Sequence, residues 1–112
     1  MGLVTASTQA ANGIVGLETA VPLGLRLVEQ GVISLSGLVE KMSINPGRII
    51  GRANRIMEGN TANLTILDTE KAHTIDAKQF KSLSQNTPFD GWKLKGKAVL
   101  TMVEGKIVYE DI

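Results

Sequence analysis

Apolar positions divide the chain into a half with helical spacing and a half with strand-like runs. Leu17, Val21, Leu25 and Val28 follow one another at spacings of four, four and three. That stripe predicts a helix over Gly16 to Gln30, because the helical repeat brings such positions onto one face. Glu18 lies near its positive N-terminal end and Gly31 stands as its stop. Pro22 is then expected in or near the first turn, where a missing N–H does no harm. Ser34 is the expected N-cap of a second helix, with Leu35, Leu38, Val39 and Met42 as its apolar face. Asn45-Pro46 reads as the N-cap and first residue of a third, short helix through Ile50, ended by Gly51. Gly47 inside it costs about 1 kcal/mol relative to alanine.

The period then changes. Ala62 to Asp68 is rich in β-favouring residues and predicts a buried strand, with a further short strand over Ala72 to Ile75. Asp76 is placed to cap a helical turn, Ala77 to Phe80, and Ser82 to Gly91 is a loop carrying Asn86-Thr87-Pro88-Phe89. Lys97 to Val103 and Lys106 to Tyr109 form a hairpin around Glu104-Gly105. Met1 to Ala11 is small and polar without periodicity, a flexible arm, and Asn12-Gly13 is a turn signal.

Composition narrows the function classes. With 112 residues this is one domain at most, and 43% apolar with 21% charged residues is a globular balance. Twelve basic against 11 acidic residues leave a net charge of +1, which gives no support to nucleic-acid binding by bulk charge. The absence of cysteine excludes a thiolate zinc site, a disulfide framework and a cysteine nucleophile, and a single histidine, His73, excludes a His-His metal motif within the chain. Glycine, proline and charges interrupt every apolar run before membrane-spanning length. The first residues lack the flanks of a signal peptide, so a soluble cytoplasmic protein is expected. Aromatics are only 4% of the chain, so the core has little margin and the chain reads as part of something larger.

Candidate chemistry is sparse. Gly13-Ile14-Val15-Gly16 offers backbone amides ahead of a helix N-terminus, where polar ligands bind, although an ordinary glycine turn is the commoner use of such a pair. Arg48 follows Asn45-Pro46 as a cation, more often a solvated charge than an anion ligand, and His73 is more often a surface residue than a base. Glu18, Glu58, Asp68, Asp76 and Asp90 fall on separate elements, so spacing shows no acid–base pair. Glu110-Asp111 reads as a solvated tail, and Trp92 as an anchor of the second-half core rather than a stacking platform. Residue chemistry alone assigns no catalytic machinery.

Several segments nevertheless form a recognisable series. Asn12-Gly13-Ile14-Val15-Gly16-Leu17-Glu18-Thr19-Ala20 is followed by Ser43-Ile44-Asn45-Pro46, then Arg55-Ile56-Met57-Glu58-Gly59 leading into Ala62-Asn63-Leu64-Thr65. Asn86-Thr87-Pro88-Phe89-Asp90-Gly91-Trp92 and the hairpin from Val99 to Glu110 complete it. In order and spacing these segments resemble the C-terminal third of the longer bacterial class of dihydroorotase, a zinc amidohydrolase, over roughly residues 11 to 111.

The resemblance implies an α/β fragment: the last helices of an amidohydrolase (β/α)8 barrel followed by the C-terminal half of a small β-sandwich. Residues 1–11 would be a flexible arm, 12–53 the last barrel loop and helices, and 54–112 the sandwich portion. Asn12 and Gly13 would inherit the loop whose backbone contacts the substrate ring, although many relatives carry phenylalanine at the position of Asn12. The family's metal-binding histidines and lysine lie upstream, and Leu3 to Ala11 holds neither the aspartate nor the histidine of the family's Asp-His-Ala-Pro-His segment. Asn63 stands where the family carries aspartate.

The expectation is therefore a piece of an enzyme that reversibly hydrolyses dihydroorotate to N-carbamoyl-aspartate, with zinc in the complete enzyme, no metal or catalytic residue in this chain, and no activity alone. The alternative is a non-catalytic dihydroorotase-like module partnering aspartate transcarbamoylase. Either case leaves apolar faces and strand edges uncovered, so self-association is expected, and neither nucleic acid nor membrane is an expected partner.

Overall fold

The computed structural model describes residues 12–52 and 54–112; the expected arm, residues 1–11, lies outside them. Helix α1 runs Leu17–Glu29, and Gly31 follows it as the spacing predicts. Pro22 departs from expectation. It is the sixth residue of α1, past the first turn, and is buried. The helix loses one backbone donor there, and the ring is turned into the packed face.

The second and third predicted helices are one continuous rod. Ser34 does cap it, its hydroxyl oxygen accepting from the Gly37 N–H at 3.0 Å. α2 (Leu35–Val39) passes through a π turn (Glu40–Ile44) directly into α3 (Asn45–Ile49). Asn45 is therefore no N-cap: its N–H bonds to the Glu40 carbonyl five residues back. In α geometry the Pro46 ring would press on the Met42 carbonyl, and widening the preceding turn relieves that clash.

One antiparallel sheet follows, in the order β1-β2-β3. β1 (Leu64–Thr74) merges the two strands predicted separately, β2 spans Lys93–Val103 and β3 spans Lys106–Glu110. The pairing of β1 with β2 jumps between Asp68 and Ala72, where Thr69, Glu70 and Lys71 oppose Gly96 alone. Gly96 has φ +103°, and an added Cβ would stand 3.0 Å from Leu25 Cδ1 and 3.3 Å from the Thr69 carbonyl oxygen. This bulge lets α1 lie on β2, with Leu25 buried at the contact. Glu104 (φ 50°) and Gly105 (φ 77°) give the two left-handed residues of a type I′ hairpin turn. Asn63 braces it, Oδ1 accepting the Glu104 N–H at 2.8 Å, while the Ala62 carbonyl accepts Gly105 N–H at 2.9 Å. An aspartate at position 63 would accept the same bond.

Among the described residues the buried apolar set is Leu25, Leu38, Ile75, Ala77, Leu94, Val99 and Leu100. Leu38 reaches α1 because Gly24 leaves it room; a Cβ there would lie 2.8 Å from Leu38 Cδ1. Asp111 is not a free tail residue. Its N–H bonds to the Val99 carbonyl, and its carboxylate takes Lys97 at 2.6 Å and Lys71 at 3.5 Å. The hydrogen bond and charge of the Lys97 ammonium chiefly, with the Lys71 charge beside them, hold the Asp111 carboxyl below its ordinary value.

Candidate functional site

Gly13-Ile14-Val15-Gly16 leads straight into α1, and two hydrogen bonds to one residue fix its course. The Val15 N–H donates to the Asn86 carbonyl at 2.9 Å, and the Asn86 side-chain amide donates from Nδ2 to the Gly13 carbonyl. One turn into the helix, the Glu18 carboxylate accepts the Ser82 N–H at 2.9 Å and the Ser82 hydroxyl at 2.8 Å. The hydroxyl bond chiefly, and the amide bond after it, hold the Glu18 carboxyl below its ordinary value. Thr19 lies beneath, fully buried, with its hydroxyl 3.4 Å from the Gly16 carbonyl.

The two predicted site residues, Asn12 and Gly13, are both exposed on this loop. Gly13 has no left-handed φ, and among the described residues nothing lies within 4 Å of the Cβ it lacks. Packing against the described residues therefore does not explain the glycine, in contrast to Gly24 and Gly96. The free space beside it is compatible with an outside group approaching the backbone.

Sequence reasoning missed Ser82 and Asn86 as partners of this loop. Asn86 belongs to the Asn86-Thr87-Pro88-Phe89 series, but nothing local links it to a residue 73 positions away. The same loop is stiff in its own right. The Phe89 N–H bonds to the Thr87 hydroxyl at 3.2 Å, Phe89 meets Trp92 edge-on at 4.9 Å, and Asp90 Oδ1 accepts the Ala77 N–H at 2.9 Å. Trp92 also carries the Arg26 guanidinium over its ring at 4.9 Å, so it joins the loop to α1.

The other candidates fall elsewhere. His73 is half-buried, with Nε2 3.0 Å from the Gly96 carbonyl oxygen, bracing the bulge. Arg48 is exposed on α3. A cleft of about 580 Å3 is lined by Arg26, Glu29, Trp92, Lys93, Leu94 and Lys95, and none of these belongs to the glycine loop. Zinc finds no donor set: among the described residues, no three His, Asp or Glu side chains gather to hold a metal ion.

The chain belongs to the amidohydrolase family, whose model matches residues 2–108. Within it, the chain is 51% identical over 102 residues to the dihydroorotase of Desulforapulum autotrophicum and 48% identical over 103 residues to that of Geobacter metallireducens. Each match covers 91% of this chain and 24% of the relative, so the chain spans about a quarter of the length of these curated relatives. Among solved structures it resembles L-hydantoinase (dihydropyrimidinase) from Arthrobacter aurescens, with a TM-score of 0.83 and 42% identity over 91% of this chain and 24% of that one.

Proposed function

We propose that this chain is the C-terminal portion of a dihydroorotase and contributes the loop that holds the substrate ring. In that reading residues 12–53 complete the rim of a (β/α)8 barrel, and residues 54–112 form part of the neighbouring β-sandwich. The complete enzyme adds water across the ring amide of dihydroorotate, giving N-carbamoyl-aspartate, and runs the reaction in both directions. The observation that carries the assignment is the 51% and 48% identity to two dihydroorotases over 91% of the chain; the exposed Gly13, tethered by Asn86, supports the loop's role.

The role of the present residues is binding and orientation. The backbone at Asn12 and Gly13 offers N–H and carbonyl groups that pair with a cyclic amide, which presents both a donor and an acceptor. Asn86 already occupies one site on the Gly13 carbonyl, and a carbonyl oxygen accepts a second bond. Zinc, which the complete enzyme would carry, does not fit the side chains described here. The metal ligands and the proton-transferring aspartate belong in this reading to the remainder of the enzyme, and the cytoplasm is its compartment.

Dihydroorotate hydrolysis by the purified chain, with zinc supplied, is expected to stay at the uncatalysed background. A rate near that of a complete dihydroorotase would overturn the assignment of the hydrolytic groups to the rest of the enzyme. The likeness to L-hydantoinase favours one second reading, a different cyclic amide as substrate. A direct comparison decides it. The dihydroorotase of Desulforapulum autotrophicum, with its matching segment replaced by residues 12–112, should open dihydroorotate and not hydantoin.

A further inference from the structure

We propose that the loop over Ser82 to Trp92 is a clamp that sets the backbone of the ligand loop, with Asn86 and Ser82 as positioning residues for substrate binding. This rests on the reading of Asn12 and Gly13 as the ring-holding loop. Four contacts at three points carry it. Asn86 grips Gly13 through its side chain and Val15 through its own carbonyl, one residue fixing both ends of a three-residue span. Ser82 fixes the start of the following helix by presenting its N–H and hydroxyl to Glu18.

The clamp is itself anchored away from the loop it holds. Asp90 binds the Ala77 N–H, the Ile75 carbonyl accepts from Gly91, and Ile75 N–H bonds to the Trp92 carbonyl. The end of β1 and the start of β2 therefore hold one side of the clamp, and Asn86 and Ser82 hold the glycine loop on the other. Among the described residues, none lies within 4 Å of the missing Cβ of Gly13 to hold it instead. Removing Asn86 Nδ2 frees the Gly13 carbonyl to turn, and the peptide groups meant for the ring lose their common orientation.

Two experiments separate the clamp from the ligand assignment. In the 112-residue chain, Asn86→Ala should speed amide exchange at Val15 by about tenfold, while the amides of the β2–β3 hairpin exchange as before. Ser82→Ala should act likewise at the first turn of α1, and Ser82→Thr, which keeps the hydroxyl, should restore protection. Unchanged exchange at Val15 in Asn86→Ala would overturn the clamp and leave the ligand loop standing.

In the same segment-exchanged dihydroorotase, Asn86→Ala should raise KM for dihydroorotate about tenfold with kcat within about threefold, as expected when binding alone is lost. Gly13→Ala serves as the reference. If Gly13→Ala raises KM and Asn86→Ala does not, the clamp is refuted. If neither raises it, the ligand loop itself is wrong and the clamp's role in binding falls with it.

Discussion

At Gly96 one missing side chain decides how a helix meets a sheet. Its φ of +103°, and Leu25 atoms that would stand 3.0 and 3.2 Å from an added Cβ, leave no room for substitution. Gly96→Ala is therefore expected to destabilise the chain by about 1–3 kcal/mol, through backbone strain and displacement of Leu25; the urea midpoint is the measurement. Glu18 gives a pH prediction of definite sign. Its carboxyl is lowered in the folded chain by the Ser82 hydroxyl and N–H, so its contribution is fully present above the ordinary glutamate value. It is lost as pH falls through the lowered folded value. The Ser82 amide should stay protected through mild acid and become exchange-labile below that range, and Glu18→Gln should remove the pH dependence.

Helices and strands show where the residue pattern is readable. The Ser34 and Asp76 caps, the Glu104-Gly105 turn and the Gly31 stop all stand where local chemistry puts them, because each depends on neighbours three or fewer positions away. The departures share one cause, which is that local form does not show what arrives from farther along the chain. Asn45-Pro46 has the form of a helix start, yet the rod arrives from upstream and widens into a π turn to pass the proline. β1 reads as two strands because Thr69, Glu70 and Lys71 break the alternation, and only their opposition to Gly96 shows that pairing resumes beyond them. The candidate site is half legible: its glycines and the Asn86 series stand out, but the bonds joining them depend on tertiary approach. Pro46→Ala should let the π turn relax to α geometry and stabilise the rod by about 1–3 kcal/mol, seen as slower exchange at Asn45 and a higher thermal midpoint.

Over the whole molecule, uncovered apolar surface outweighs the core. Twenty large hydrophobic residues are exposed against seven buried apolar ones among the described residues, with Leu17 at 86% and Ile49 and Ile56 at 85%. Both outer strands, β1 and β3, have one unpaired edge among the described residues. A chain spanning about a quarter of its relatives' length is expected to cover such surface by self-association when isolated. Light scattering at tens of micromolar should show dimers or larger species, and a monodisperse monomer would contradict this. No described helix is long and apolar enough to cross a membrane. The clamp also has a consequence in time. Asn86 and Gly13 are 73 positions apart, and Ser82 and Glu18 are 64 apart. At ribosomal speed that gap takes on the order of 4–15 s to synthesise, and long-range closures form late in folding in any case. The glycine loop leaves the ribosome well before the residues that give it a shape, so a nascent chain stopped before position 82 would carry the whole glycine loop in sequence without the bonds from Ser82 and Asn86 that tether it.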